Sequence, residues 1–263
     1  PYTPDYNSRY FRYDKLGDIT DKLFMASVEG AMIRVFHCSM VGVSENESTA
    51  SGWYIASVRK LDAFKSRWNS PRSYGEQFWR AVFTQGDTSV APDDEVMREQ
   101  LAARFEGTLD KQLMYTFVVS PDHLNRVVLP ATPPLVCSGP AFDVHNTMHF
   151  EKVEFADSLV IQGLNRVEEL KAYVNRSFDE GRQGVMVYDL NNITPPYKIF
   201  PDNYHRLYHL RGAVQSPLAG FVPNICNIGA KIAYRGLYLR SQYNDLNDKF
   251  DEYENAVSSI VYN

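Results

Sequence analysis

Four cations and two aromatic residues share a short stretch of this chain and could bind a nucleic acid. Arg59, Lys60, Lys65 and Arg67 are interleaved with Phe64 and Trp68, and single-stranded nucleic acids bind where cations and stacking surfaces occur together. The alternative is a solvated helix whose aromatic residues face the core. The net charge is -5 and the isoelectric point about 5.7. We therefore do not expect the chain to bind long nucleic acids through many phosphate contacts on a basic face.

Two histidine pairs have spacings that could hold a metal ion or an anion. His145 and His149 lie in a segment of alternating character, which favours an extended chain, where residues four apart are too distant to share one ion. His205 and His209 share one face of a predicted helix. Nearby arginines favour a solvated surface there, with an anion contact as the alternative. We therefore predict no metal site.

Composition bounds the kind of protein. The 263 residues are 44% hydrophobic and 22% charged, which is typical of a globular chain with a sizeable core and not of a disordered one. The apolar stretches are too short to cross a bilayer, so we expect no contact with a membrane. Three widely separated cysteines favour free thiols in a reducing compartment. An intracellular or virion location is expected, without secretion.

Hydrophobic periodicity predicts strands and helices that do not alternate strictly, which indicates an α+β fold. Strands are predicted at residues 27–36, 53–57, 114–119, 126–129, 184–190 and 197–200, and helices at residues 73–83, 93–106, 165–178, 203–210 and 238–260. Residues 43–51 are predicted to form a long polar loop, and the proline-rich residues 130–140 a surface crossing. Asn165 and Glu168 resemble a capping box at the start of the third helix.

Several of these segments resemble, in order, the motifs of bacteriophage-type RNA ligases, which have the covalent nucleotidyltransferase fold. SVEGAMIRVF at residues 27–36 looks like the strand of the first motif, and FVVSP with NRVVL in residues 115–130 is similar to the third. RQGVMVYD at residues 182–189 is similar to the fourth motif and YKIF at residues 197–200 to the fifth. LRGAV and IAYRGLYLR, near the end of the chain, resemble ligase-like proteins of large DNA viruses. The resemblance implies antiparallel sheets flanked by helices, with a C-terminal helix.

The resemblance also implies a chemistry that can be checked position by position. In such ligases a lysine amine attacks the α-phosphate of ATP. Carboxylates of the third and fourth motifs hold the ribose or a divalent cation, and lysines of the fifth motif offset the charge that grows on the phosphate. Each role therefore requires a particular residue type.

Most of these residue types are absent at the matching positions. Ser27 stands where the lysine is expected, while Glu29 and Gly30 keep the acid and the glycine that follow it. Phe117 replaces the acid of the third motif. Gln183 and Gly184 stand where the Glu-Gly of the fourth is expected. Lys198 matches the first lysine of the fifth, and Phe200 replaces the second. A serine without a base is a poor nucleophile and would form a phosphoester, not a phosphoramidate.

These substitutions predict a catalytically silent RNA-ligase-like domain without a cofactor, which acts as a structural or interaction module. The resemblance to viral proteins implies other proteins as partners, in a virion or capsid-associated setting. One alternative is an ATP-dependent RNA ligase that uses Lys198, a displaced nucleophile, ATP and Mg²⁺. Another is a non-catalytic protein that binds RNA ends. The predicted divisions are an aromatic N-terminal arm at residues 1–26, a nucleotidyltransferase-like domain at residues 27–212 and a helical extension at residues 213–263.

Overall fold

A computed structural model of the chain describes residues 4–39, 51–67, 70–83, 91–120, 127, 136–191, 194–211 and 247–261. In chain order the strands are β1 (Asp5–Asn7), β2 (Lys22–Ser27), β3 (Ala31–Cys38), β4 (Gly52–Ser57), β5 (Tyr115–Val119), β6 (Val136–Ser138), β7 (Ala141–Phe142), β8 (Met148–His149), β9 (Asp157–Ser158), β10 (Gly184–Asp189) and β11 (Tyr197–Phe200). The helices are α1 (Tyr74–Phe83), α2 (Asp94–Glu106), α3 (Val167–Ser177), α4 (Asp202–Arg211) and α5 (Asn247–Val261). The predicted α+β class is confirmed.

The chain divides into two compact units, each built from discontinuous segments. The first comprises Pro1–Ser27, His123–Ala131 and Gly163–Asn263, and the second Val28–Asp122 and Thr132–Gln162. This division does not follow the boundaries predicted from the sequence. The predicted arm belongs to the same unit as the C-terminal third of the chain, and the middle of the predicted nucleotidyltransferase-like domain forms the other unit.

A four-stranded sheet of order β1-β11-β10-β2 organises the first unit. β10 lies antiparallel to both β2 and β11, and it coincides with the strand predicted at residues 184–190 except for Leu190, which lies beyond it and is exposed. Val185 and Val187 alternate along β10 and are fully buried, as are Leu170 and Val174 of the adjacent helix α3. A strand with one fully buried face can hold side chains in defined positions, and the candidate site lies at the start of this strand.

The aromatic N-terminal segment is part of this sheet. β1 pairs with β11 in parallel, in the register of Tyr6 with Ile199. The Tyr6 ring packs against those of Phe11 and Tyr197, at centroid distances of 5.5 and 5.6 Å. The described part of the predicted arm therefore lies across its own unit, and its tyrosines contribute to the fold.

A five-stranded sheet of order β4-β3-β5-β6-β9 organises the second unit. Its core joins apolar residues of β3, β4 and β5 to α1 and α2, and the fully buried members include Ile33, Phe78, Leu101, Phe105 and Phe117. Helix α2 begins where predicted, because the carboxylate of Asp93 accepts hydrogen bonds from the backbone N–H groups of Glu95 and Val96. This is the N-cap arrangement that acidic residues favour.

Four details of the predicted architecture are wrong. The strand predicted at residues 27–36 is two strands, because β2 ends at Ser27 and β3 begins at Ala31, in different sheets. Residues 136–138 of the predicted surface crossing form the buried strand β6. The sheets are mixed, since β1 pairs with β11 and β6 with β9 in parallel. The capping acid of α3 is Glu169, which accepts the N–H groups of Asn165 and Arg166.

Several predicted features lie outside the described residues. These are most of the polar loop at residues 43–51, the strand at residues 126–129 apart from Val127, the first part of the C-terminal helix, and Cys226. Among the described residues, Cys38 and Cys137 do not form a disulfide. No helix in the described ranges combines the length and apolar character that crossing a membrane requires.

Candidate functional site

Ser27 and Gln183 stand at the positions of the expected lysine and glutamate, and they bind each other. The backbone N–H of Gln183 donates to the Ser27 carbonyl over 2.8 Å, where β2 and β10 pair. The Ser27 hydroxyl donates to the side-chain oxygen of Gln183 over 3.1 Å. Because an amide oxygen is not a base, this contact does not make the hydroxyl a nucleophile. Ser27 is only 4% exposed.

Tyr204 of α4 completes this contact into a neutral network. The side-chain nitrogen of Gln183 donates to the Tyr204 hydroxyl over 2.9 Å. The Tyr204 ring packs on that of Phe200, with ring centroids 4.7 Å apart, and Val127 joins the same buried cluster. Three positions at which the resemblance calls for charge are therefore occupied by Ser27, Gln183 and Phe200. Gln183 and Phe200 contact Tyr204 directly, and Ser27 is linked to it through Gln183.

Sequence reasoning did not single out Tyr204. Its residue type matches no nucleotidyltransferase motif, and its only signal was its place in the first turn of the predicted helix that follows YKIF. The ring is 6% exposed, as is that of Phe200. Here an aromatic pair occupies space beside β10 and β11, where the fifth motif would present a lysine.

Lys198, which the resemblance matches to the first lysine of the fifth motif, lies beside a carboxylate. It lies opposite Asp5 on β1 and Met186 on β10. Burial raises the pKa of the Asp5 carboxyl, and the charges of Lys198 and His205 act in the opposite direction. The Lys198 ammonium is 5.8 Å from the centroid of the Phe200 ring. Lys198 therefore lies in a setting of mixed charge and aromatic surface.

The two glycines kept from the motifs have steric roles within their own units. A Cβ at Gly184 would lie 2.2 Å from the carbonyl oxygen of Ile199, and the residue has a φ of +148°. A Cβ at Gly30 would lie 2.2 Å from the carbonyl oxygen of Val119. Side chains are excluded at both places by the neighbouring backbone. Packing alone thus explains why glycine stands there, without any requirement for catalysis.

The remaining two positions of the predicted degenerate pocket, Glu29 and Phe117, belong with Gly30 to the second unit. Phe117 is fully buried in the core of that unit, with its ring 5.4 Å from that of Phe78 and 5.5 Å from that of Phe155. Strand alternation places it on the same buried face as Tyr115 and Val119. An acid at this position would be buried among apolar side chains.

A buried ion pair in the first unit was not predicted. The ammonium group of Lys22 lies 3.1 Å from a carboxylate oxygen of Asp189, where β2 pairs with β10. The same carboxylate accepts hydrogen bonds from the Thr194 hydroxyl and from the N–H groups of Asn191 and Thr194. The Thr194 hydroxyl and the contact with Lys22 lower the pKa of the Asp189 carboxyl. Lys22 is therefore engaged in fixing the end of β10 and is not directed at a nucleotide.

The four cations of the predicted cluster are exposed, and the Phe64 ring beside them is buried. Arg59, Lys60, Lys65 and Arg67 are all solvent-accessible. Phe64 is buried in a short 3-10 turn, and the guanidinium of Arg98, 4.1 Å from the ring centroid, lies over it. The Phe64 ring therefore cannot stack on a nucleic-acid base. Trp68 lies outside the described residues.

His149 and Asp143 form a hydrogen-bonded pair in the β7–β8 hairpin. A ring nitrogen of His149 lies 3.3 Å from the Asp143 carboxylate, which also accepts the N–H groups of His145 and Thr147. The pKa of the Asp143 carboxyl is lowered to about 2, chiefly by the hydrogen bond from the Thr147 N–H, and the hydrogen bond with the His149 ring contributes. The segment thus turns back on itself, in contrast to the predicted extended chain. Within the described ranges, no three metal-binding side chains are grouped closely enough to hold an ion.

Comparison with known proteins places the chain near a viral protein and near RNA ligases. No family model matches it. It is 25% identical over 209 residues to the immediate-early protein ICP-46 homolog of Invertebrate iridescent virus 6, which covers 72% of this chain and 40% of that protein. The chain thus spans well under half the length of this viral relative. The prediction of a viral relative is confirmed.

Among solved structures, the chain is similar to an archaeal ATP-dependent RNA ligase in two forms. The first has a TM-score of 0.41 and 12% identity, and covers 97% of this chain and 61% of the ligase chain. The second has a TM-score of 0.36 and 10% identity, and covers 89% and 56%. RNA ligases are therefore found among the solved structures to which the chain is similar.

Proposed function

We propose that this chain is an RNA-ligase-like domain that does not transfer nucleotides and that acts as an interaction module for other proteins. The hydrogen bond between Ser27 and Gln183 carries the proposal. Nucleotidyl transfer requires an amine held in line with the α-phosphate and a carboxylate or cation to offset its charge. A neutral hydroxyl and a neutral amide that satisfy each other supply neither.

The surroundings of this pair support the same proposal. The amide of Gln183 is also engaged by Tyr204, and Phe200 fills space where a second lysine would meet the phosphate. Lys22 is held by Asp189, so its use as a nucleophile would require this buried ion pair to break. A binding role remains available to a fold whose chemistry has been lost.

A viral setting is part of the proposal. It rests on the relative from Invertebrate iridescent virus 6, which is named an immediate-early protein, and on the viral resemblance of the terminal segments. We propose a role in the infected cell or in the virus particle, through contacts with other proteins. Mass spectrometry of purified particles and of infected-cell extract, with the chain quantified in both, would separate these two locations.

Adenylation is the decisive test of catalytic silence. The chain is incubated with ATP labelled at the α-phosphate and with Mg²⁺ or Mn²⁺, and covalent label is measured after denaturing electrophoresis, beside an active ATP-dependent RNA ligase. We expect no covalent label on the wild-type chain. Label that is lost in Lys198→Ala but kept in Ser27→Ala would overturn the proposal and identify a displaced nucleophile.

A matched variant tests whether the replaced residues are the cause of silence. It combines Ser27→Lys, Gln183→Glu and Phe200→Lys, which restore the three charges expected in the first unit. Label on this variant, with none on the wild type, would attribute the silence to these positions. Label on both would contradict the proposal.

A further inference from the structure

Strand β4 lies at the edge of the five-stranded sheet in the second unit. It is the terminal strand of the five-stranded sheet and pairs with β3. The backbone N–H of Ser57 donates to the carbonyl of Lys60 over 2.8 Å, so it points away from β3. Because backbone groups of alternate residues point to the same side of a strand, those of Trp53 and Ile55 point outward as well. Within the described ranges, no backbone group pairs with them on that side.

A groove runs beside this edge. Its volume is about 330 Å³, and β4 forms one wall while Arg98 and Ala102 of α2 form the other, with Leu61 and Asp62 at the end. This volume lies at the low end of the range of ligand-binding pockets. Leu61 is 74% exposed at the rim. The groove therefore combines a row of free backbone hydrogen-bonding groups with apolar side-chain surface.

The end of the groove near Leu61 carries an excess of positive charge. The Asp62 carboxylate lies 2.8 Å from the guanidinium of Arg98 and 3.8 Å from the ammonium of Lys65, so one acid faces two cations. Lys60 is exposed, and its ammonium donates to the carbonyl of Lys65 over 2.7 Å. In a chain whose net charge is -5, this end is complementary to an acidic partner.

We propose that an extended peptide segment of a partner protein binds along β4 as an added strand. Its backbone would pair with Trp53 and Ile55, its alternate side chains would enter the groove between Leu61 and Ala102, and an acidic residue would lie beside Lys60 and Lys65. In recognition of this kind, backbone hydrogen bonds supply affinity and side-chain pockets supply specificity. An exposed strand edge otherwise favours uncontrolled pairing between chains. The proposal names a class of partner for the interaction module, but it does not depend on catalytic silence, because an adenylating chain could carry the same groove.

The probe is a display library of random ten-residue peptides, selected on the immobilised full chain. We expect the enriched peptides to alternate apolar and polar residues and to carry Asp or Glu near one end. One enriched peptide is then synthesised with a fluorescent label, and its affinity is measured by anisotropy. N-methylation of alternate amides in the peptide removes the backbone donors, and on the pairing face it should weaken binding at least tenfold. The opposite set of amides should tolerate the same change.

Two variants of α2 test whether the peptide binds in the groove beside β4. Ala102→Phe fills the groove, and Ala103→Phe makes the same change at the next residue, which is exposed. We expect at least a tenfold loss of peptide affinity in the first and less than a twofold change in the second, with equal thermal stability. Hydrogen exchange of the Trp53 and Ile55 amides should slow when the peptide binds.

Three results would overturn the proposal. Absence of any enriched pattern is one, and affinity that is equal in Ala102→Phe and wild type is another. The third is a dimer of the chain in solution that Ala102→Phe dissociates and Ala103→Phe preserves, because the edge would then be occupied by a second copy. Since the adenylation assay does not involve this groove, its outcome and that of the peptide selection are independent.

Discussion

The Ser27 hydroxyl donates a hydrogen bond to the side-chain oxygen of Gln183 across the pair of strands β2 and β10. These two residues occupy the positions at which the resemblance to RNA ligases calls for a nucleophilic lysine and an acid. Both replacements are neutral, and each satisfies the other in a place where solvent has little access. The substitutions therefore form one compatible pair.

Loss of the Ser27 hydroxyl should destabilise the chain without affecting a reaction. Ser27→Ala removes the donor and leaves the part-buried side-chain oxygen of Gln183 with one partner fewer, which should lower the free energy of unfolding by about 1 kcal/mol. Ser27→Lys should cost more, because it places a charge at a site that is 4% exposed. Urea denaturation followed by circular dichroism measures both. A lysine variant as stable as the wild type would indicate a site open to water and would weaken the case for a closed network.

Gly184 is expected to tolerate no side chain. Gly184→Ala would bring a Cβ to 2.2 Å from the Ile199 carbonyl oxygen at a φ of +148°, and should lower the free energy of unfolding by at least about 2 kcal/mol. Gly107 offers a matched control, because it has a φ of -88° and an added Cβ would meet no atom within 4 Å. Gly107→Ala should be neutral or stabilising by about 0.5 kcal/mol. Equal effects of the two substitutions would contradict the steric account of Gly184.

Local signals in the sequence predicted the parts of the fold that depend on local physics. Helices α1 and α2 and strand β10 each depend on a pattern within about a dozen residues, and each lies within one residue of its predicted bounds. The break between Ser27 and Ala31 was not predicted, because apolar residues continue across it. Only tertiary structure determines that the two strands enter different sheets.

The part of the candidate site that depends on local sequence could also be predicted. The order of the motif-like segments identified Ser27, Gln183 and Phe200 as replacements, since their positions are defined by their own strands. Tyr204 could not be identified in this way. Its role arises because helix α4 brings the ring against Gln183 and Phe200. This contact depends on tertiary structure, and no spacing of residues in the sequence predicts it.

Restoring the acid of the third motif at Phe117 should disrupt folding. Phe117→Glu places a carboxylate in a fully buried aromatic cluster, and should lower the free energy of unfolding by more than about 4 kcal/mol or abolish folding. Phe117→Leu keeps the site apolar and should cost about 1 kcal/mol, through imperfect packing. Thermal unfolding and soluble yield distinguish the two. A folded Phe117→Glu chain would show that this position has access to water or to a cation.

The ion pair between Lys22 and Asp189 should make stability depend on pH. The folded chain lowers the pKa of the Asp189 carboxyl, so its contribution is complete above the ordinary aspartate pKa of about 4 and is lost as the pH falls through the lowered value. Asp189→Asn should therefore lower the melting temperature by several degrees at pH 7, and the difference from wild type should shrink below about pH 4. Scanning calorimetry across this range measures it. A difference that is constant with pH would exclude the carboxylate charge as the cause.

Charge reversal in the cationic cluster should leave binding to RNA almost unchanged. Lys65 is paired with Asp62, Lys60 donates to a backbone carbonyl, and the buried Phe64 ring offers no surface for a base. A protein that binds single strands needs both stacking surface and cations along the backbone. The double variant Lys60→Glu and Lys65→Glu should therefore change the affinity for a single-stranded RNA less than about twofold at roughly 100 mM salt. In contrast, the acidic peptide that binds the β4 groove should lose affinity in the same variant, because its acidic end would face two new carboxylates.

Filter binding over a series of salt concentrations measures the affinity for RNA. A variant that binds RNA about tenfold more weakly, with a reduced salt dependence, would contradict the prediction for RNA and would favour an RNA-end binder.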